Sequence, residues 1–305
     1  EIHFMSTLNE NIRLLTEQQL ATWETARRNY EALAHVQLKE MDVRGVRYRV
    51  QFNPARIVSS AARVDDRSLR ERRCFLCPAN RPPEQQGIPF RGHYQLLLNP
   101  FPIFPRHLTI VEDEHTPQRI ATRVNDMLEL ARLLTDYTVF YNGPRCGASA
   151  PDHAHFQAGS RGFMPIESQW HTLGQTQIDT CGTARLLRLD DAPRHTLVIT
   201  SPSATDAAQL FRRVYDAQPV VPGEDEPMLN LLALYEPAGW TLFVFPRRKH
   251  RPSCYFAEGD ARLLCSPASV DLGGVFILPR EEDFLRIGSH EIEEMLNEVC
   301  WEGTL

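Results

Sequence analysis

The sequence predicts an α+β protein in which antiparallel sheets are flanked by helices and two pseudo-repeated halves join into one unit. Three observations carry that expectation. Short apolar or alternating runs come in pairs around turns, at 95–99 with 107–111 and at 229–235 with 240–245. Stretches with helical spacing of apolar residues stand between such pairs, at 117–136 and 206–215. Finally, Leu96-Leu97-Leu98-Asn99 precedes a turn, an apolar strand and His115, while Ala233-Leu234-Tyr235 precedes a turn, an apolar strand and His250. A recurrence of this kind is the mark of an internal repeat.

Composition bounds the class. The chain has 305 residues, 42% hydrophobic and 24% charged, which is ordinary for a soluble globular protein and enough for a substantial core. A formal charge of −6 argues against a general nucleic-acid or membrane binder. No apolar run approaches the ~20 residues of a membrane span, and residues 1–19 are polar, without a signal-peptide core. Seven cysteines are scattered along a chain too large to need stapling, so they read as reduced thiols of a cytoplasmic protein.

Taken in order, residues 7–40 read as helical, with Leu8, Ile12, Leu15, Leu20, Trp23 and Leu33 at roughly helical spacing. They form an expected N-terminal arm, residues 1–40. Strands are expected at 43–50 and 50–57. Cys74-Phe75-Leu76-Cys77 has the spacing of half a tetrahedral zinc site, of a redox pair, or of neither. Strands at 95–99 and 107–111 flank a proline-rich turn. The helix at 117–136 carries one stripe of Ile120, Val124, Met127, Leu128, Ala131 and Leu134. The strand at 137–141 is expected to pair with 153–158. The pattern then restarts, with strands at 185–189 and 195–200, the helix at 206–215 and the strand pair 229–235 with 240–245. The densest basic run, 247–251, follows. A turn and strand at 266–279 and a helix from Ser289 to Cys300 close the chain. The expected division is a half at 41–165 that carries the chemistry and a half at 166–305 that shapes the pocket.

The chemistry concentrates between Tyr141 and Gly159. His153-Ala154-His155-Phe156-Gln157-Ala158 alternates strictly, so a strand would put His153, His155 and Gln157 on one face, with apolar residues behind. The preceding loop, 143–152, is rich in Gly, Pro, Ser and Ala. Such a loop brings backbone N–H groups close to an anion, and Ser149 adds a hydroxyl. Imidazole is a competent nucleophile when one nitrogen is free and the other is held. Two imidazoles and an amide behind a phosphate-cradling loop point to chemistry at phosphorus.

His-x-His-x-Gln after Gly147-Ala148-Ser149 resembles the transferase branch of the histidine triad (HIT-like) superfamily, which includes galactose-1-phosphate uridylyltransferase, diadenosine tetraphosphate phosphorylase and GDP-hexose phosphorylases. The resemblance runs over roughly 50–280 and is sharp at 74–77, 95–115 and 142–159. It departs at Ala154, where the uridylyltransferases have proline, and in one extra residue between Ser149 and His153 relative to the phosphorylases. What it implies is a HIT-like fold and a nucleotidyltransferase or nucleotide phosphorylase. His155 would attack the α-phosphorus of a nucleoside diphosphate sugar or dinucleoside polyphosphate. A phosphate or sugar 1-phosphate would then accept the nucleotide.

By the same resemblance Gln157 holds phosphoryl oxygens with Ser149, and Asn99, Asn142, Gly147 and Arg63 line the nucleotide. Arg56 and Arg63 are each as readily solvated surface residues as phosphate contacts, and the run with Arg247, Lys249 and Arg251 is as readily a solvated loop as a set of cations for an acceptor phosphate. Zinc, in a structural role, is implied on Cys74, Cys77, His115 and His153, with His93, His107 and Cys146 as substitute ligands. A HIT-type hydrolase and a non-catalytic nucleotide-binding protein are the rival readings; Gln157 in place of a third histidine argues against the first. The expected partners are a nucleotide or nucleotide-sugar substrate and its acceptor, with no nucleic acid and no membrane; a homodimer is an allowed assembly.

Overall fold

A computed structural model describes residues 2–61, 63–301 and 303. Ala62, in the basic segment after Asn53, lies outside them. The chain opens with α1 (Ile2–Thr22) and α2 (Glu24–Leu33), then the hairpin β1 (Gln37–Val43) and β2 (Val46–Phe52). Next come α3 (Ile57–Ser60), α4 (Asp66–Glu71), β3 (Gly87–Phe90), β4 (Tyr94–Leu98), β5 (His107–Glu112), α5 (Val124–Leu133), β6 (Tyr137–Asn142) and β7 (His155–Ser160). The second half contains α6 (Ile166–Gln169), β8 (Gln175–Cys181), β9 (Ala184–Leu189), β10 (Leu197–Ser201), α7 (Ala204–Ala217), β11 (Leu229–Glu236) and β12 (Gly239–Pro246). It closes with α8 (Ser253–Phe256), α9 (Ser269–Leu272), β13 (Val275–Leu278), α10 (Glu281–Arg286) and α11 (Ser289–Val299). Among the described residues no helix is long and apolar enough to cross a membrane.

Ten strands form one antiparallel sheet in the order β3-β4-β5-β7-β6-β11-β12-β10-β9-β8. Read inward from either end, the order is the same: three strands, then the last strand of the half, then the strand at the seam. Each half is three strands, a helix and two strands, and the halves meet where β6 pairs with β11. The pseudo-repeat therefore exists, but its alignment differs from the sequence expectation. β4 corresponds to β9 rather than β11, β5 to β10, α5 to α7, and β7 to β12. The hairpins β4–β5 and β11–β12 are both apolar strand, turn, apolar strand, so spacing alone matched the wrong pair.

Other boundaries also move. The helical arm ends at Leu33, and 37–40 belongs to β1. Arg44 and Gly45, with φ of 54° and 81°, make a two-residue turn between Val43 and Val46, so the strands lie earlier than expected. After Phe52 the chain turns helical at Pro54 instead of continuing as a strand. The expected helix at 117–136 shortens to α5, because Thr116 and Gln118 bond the loop at 151–154 instead: Ala154 N–H donates to the Thr116 carbonyl and Gln118 N–H to the Pro151 carbonyl. Edge strand β8, mostly exposed, carried no apolar signal.

The sheet has two unequal faces. One packs α5 and α7, burying Met127, Leu128, Ala131, Phe211 and Val214 against Ile110, Phe156, Tyr141, Leu231 and Val244. On the other, the second half is capped by a small sheet in the order β1-β2-β13 with α11 beside it. There Phe243, Phe245, Leu232 and Val198 meet Tyr48, Val50, Phe276 and Leu296. That face over the first half carries Leu97, Thr109, His155 and Gln157, and it borders a cavity. On β12 the outward row is Thr241, Phe243 and Phe245, sealed by core. The repeat thus keeps one open site.

Phe243 is fully buried at the centre of the capped face. Phe243→Ala is expected to cost about 3–5 kcal/mol by lost burial and cavity formation, read as a lower urea midpoint with unchanged m-value.

Candidate active site

β6 and β7 pair only as far as Phe140 with Gln157; beyond that the two strands part. Gln118 fills the fork. Its Nε2 donates to the carbonyls of Asn142 (3.0 Å) and His155 (2.9 Å), and its Oε1 accepts from His155 N–H (2.8 Å). One buried amide therefore does the work of a missing strand and fixes the backbone of His155.

The His155 ring donates its Nδ1–H to the carbonyl of His153 at 2.8 Å. That leaves Nε2 with the lone pair, and the residue lines a cavity of about 1050 Å³. Burial is the main cause that holds the ring well below its ordinary value, at about 4, so it is neutral near pH 7. Gln157, two residues on, lines the same cavity and also a smaller one of about 70 Å³.

His153 does not join this row. β7 begins at His155, and the His153 ring turns instead to the Cys74 loop. Its Nε2–H donates to the Glu112 carbonyl (2.8 Å), so Nδ1 faces Cys74 Sγ at 3.4 Å and Cys77 Sγ at 3.6 Å. His115 Nδ1 lies 3.2 Å from Cys77 Sγ, and its Nε2 is 3.6 Å from Asp152. All four ligand atoms lie within 4.8 Å of one another. Bonds of roughly 2.0–2.3 Å in a tetrahedron give edges near these separations, and the outer nitrogen of His153 is held by the Glu112 carbonyl, as in metal-bound histidines. Burial pushes the Cys74 thiol up, but the hydrogen bond to His153 and backbone donors outweigh it and bring it to about 6. The four residues could hold a metal ion. The substitute ligands are elsewhere: His93 contacts the Arg91 carbonyl, His107 contacts Gln157, and Cys146 is buried and pushed up to about 12.

The remaining expected residues divide. Ser149, Asn99 and Arg63 line the large cavity with His155 and Gln157. Asn142, Gly147 and Arg251 line the small one, as does Ser149 again. Arg247 and Lys249 line neither, unlike Arg251 of the same run. Arg247 is buried, and its guanidinium donates to Asn230 Oδ1 (2.6 Å) and to the carbonyls of Pro267 (2.9 Å), His250 (3.0 Å), Lys249 (3.1 Å) and Val299 (3.2 Å). Every face of the group is committed to holding loops together. Lys249 pairs with Glu298 and Ser253. Arg56, weighed evenly against a surface role, sits in the walls of both cavities. It donates to the Phe101 carbonyl at 2.7 Å, and among the described residues no carboxylate reaches it at ion-pair distance. Trp23, Phe75 and Arg72 of the large cavity were not read as site residues from the sequence, and His250 of the small one entered only as a landmark of the repeat and within the basic run.

Two family models match: a domain of unknown function (DUF4922) over residues 15–160 and the GDPGP1-like C-terminal domain over 172–303. Diadenosine 5',5'''-P1,P4-tetraphosphate phosphorylase 2 of Saccharomyces cerevisiae is 38% identical over 80 residues, 22% of this chain and 24% of the yeast protein. Protein APA1 of the same yeast is 36% identical over 73 residues, 21% of this chain and 23% of its own length. The matched segments thus span about a quarter of these relatives. The crystal structure of yeast Ap4A phosphorylase Apa2 in complex with Ap4A superposes over 95% of this chain and 98% of its own, with a TM-score of 0.61 and 18% identity. Its complex with AMP gives 0.59 over 94% and 98%, at 19% identity. The chain thus matches the GDPGP1-like C-terminal domain over its second half and has the fold of the yeast Ap4A phosphorylase, which supports the resemblance to the transferase branch of the histidine triad-like superfamily.

Proposed function

We propose that the chain is a nucleotide phosphorylase or nucleotidyltransferase working through a covalent nucleotidyl-histidine. The carrying observation is the His155 ring, neutral and anchored at Nδ1, lining the large cavity together with Gln157, Ser149 and Arg56, which also line the small one. Nε2 attacks the α-phosphorus of a nucleoside diphosphate sugar or dinucleoside polyphosphate. An N–P bond forms, the bridging P–O bond breaks, and the leaving group departs as a phosphate ester. The Nδ1–H held by the His153 carbonyl stabilises the positive charge that the ring acquires. An acceptor phosphate oxygen then attacks the same phosphorus and releases His155.

The cavities suit the two ends of such a substrate. The large one is lined by Trp23, Phe75, Leu97 and Phe101 as well as Arg56 and Arg72, a setting for a base and ribose with phosphates at one end. The small one has room for about two waters at ~30 Å³ each, the scale of a single phosphate group. Arg56 and Arg251 line it, with Ser149 and Ser266. Its one carboxylate, Asp271, is occupied by the N–H groups of Ala268 and Ile277. The first half supplies the chemistry and the second supplies Arg251. A metal on Cys74, Cys77, His115 and His153, zinc by the donor set, would tie the 74–77 loop to the strand that bears the nucleophile.

Three results would test this reading. His155→Ala should cut turnover of diadenosine tetraphosphate or a GDP-hexose by roughly 10³-fold or more while the far-ultraviolet circular dichroism stays that of the parent. Radiolabelled nucleotide should remain on the wild-type protein in water and discharge on addition of phosphate; equal discharge with and without acceptor would favour a hydrolase, and no label at all a binder. Arg251→Ala should raise the KM for phosphate about tenfold or more and leave the labelling step near the parental rate.

Metal analysis of protein purified without chelator should find about one zinc per chain. Cys77→Ser should lower that content and the melting temperature together. A metal-free protein with parental stability would rule the metal out.

A further inference from the structure

His107 is fully buried on β5, one pleat beyond the residue opposite Gln157, and nothing in the reaction as described above uses it. Its environment leaves it one tautomer. The N–H of Ile103 donates to Nδ1 at 3.1 Å, so Nδ1 must carry the lone pair and Nε2 the proton. Nε2 lies 2.9 Å from Gln157 Oε1 and donates to it. Asn99 repeats the logic. Its Oδ1 accepts from Phe101 N–H at 2.9 Å, which turns its Nδ2 toward Thr109 Oγ1 (3.0 Å) and Gln157 Oε1 (3.4 Å). Two backbone N–H groups of the turn after β4 thereby dictate the orientation of a third side chain.

We infer that His107 is a positioning residue that fixes the Gln157 amide with its carbonyl inward and its two N–H donors toward the cavities. The inference rests on the proposed role of Gln157. Donors facing a phosphoryl group stabilise the charge that gathers on its oxygens. A carbonyl facing it would repel that charge, and a half-turn of an unrestrained amide exchanges the two. Burial keeps His107 neutral, at about 3, so the ring holds this single pattern of one donor and one acceptor. The ring is itself clamped, with Phe104 edge-on at 5.2 Å and Phe140 at 5.9 Å. Gly159, directly opposite His107, makes the room: a Cβ there would fall 2.5 Å from the Phe104 ring.

A double-mutant cycle tests the inference. His107→Phe keeps the ring volume and removes both nitrogens. The readout is single-turnover formation of the labelled nucleotidyl-enzyme from diadenosine tetraphosphate or a GDP-hexose, with melting temperature recorded for every variant. His107→Phe should slow labelling by roughly 10–100-fold, less than the ~10²–10³-fold loss of an entire donor, with KM changed less than about threefold. In a Gln157→Ala background the same substitution should slow it less than about twofold. His107→Gln, which restores an N–H donor, should recover part of the rate. Equal losses in both backgrounds would mean a structural role and overturn the inference. So would parental labelling by Gln157→Ala, with the histidine mechanism still standing if His155→Ala is inert. If the wild type takes no label, the functional reading fails. The inference is then judged by ¹⁵N NMR of the histidine rings, where a proton on Nδ1 of His107 would overturn it and a proton on Nε2, lost from its bonded position in Gln157→Leu, would sustain it.

Discussion

The pairing of β6 with β11 is the constraint on which the rest of this molecule depends. Only four residue pairs span it, from Val139 with Ala233 to Asn142 with Asn230. They turn two five-strand units into one sheet and bring both halves' loops to the same edge. The end of the seam is polar. Asn230 Nδ2 donates to Asn142 Oδ1 (2.8 Å) and to the Cys146 carbonyl (2.7 Å), Ser269 donates to Asn142 Oδ1, and Arg247 donates to Asn230 Oδ1. Buried groups of this kind destabilise when one partner is lost, because the survivor stays desolvated. The network therefore holds the 143–149 loop of the first half against the 266–269 segment of the second. Gly147, with φ of 95°, sits where a Cβ would come within 2.5 Å of Ala268 Cβ.

Electrostatics around the fork follow from that burial. The imidazoles of His107, His155 and His250 are all driven well below their ordinary value, to about 3, 4 and 3, chiefly by desolvation. The permanent charge nearby is instead on guanidinium groups, which stay protonated: burial brings Arg56 down only to about 10. A site built this way keeps neutral imidazoles next to fixed positive charge. The combination offers positive charge to an anion while the His155 ring keeps its lone pair, as the proposed attack requires.

Much of the site was legible in the sequence because its key residues are close together in the chain. His155 and Gln157 declare themselves by period-two spacing, and Cys74 and Cys77 by a two-residue gap. His115 and His153 entered through the family resemblance. What spacing could not give was direction. His153 obeys the alternation, yet the strand starts two residues later and its ring serves a different cluster. The basic run at 247–251 was read by charge density, but density says nothing of burial, and Arg247 turned out to be internal wiring. Arg56, Arg72, Trp23 and His107 reach the site from separate parts of the chain, so only the folded arrangement brings them there. The repeat was visible, whereas its alignment was not, since apolar hairpins look alike until their strands are ordered.

His153 faces two ways at once. Its ring belongs to the cysteine–histidine cluster, and its carbonyl holds the Nδ1–H of His155. Replacing a residue alters only the side chain, so every substitution at this position edits the cluster and leaves the carbonyl in the chain. A mutational scan would consequently record position 153 as a stability site. The bond that sets the His155 tautomer would leave no trace there, because no codon specifies it; it is inherited through the backbone path that Gln118 and the loop at 150–154 impose.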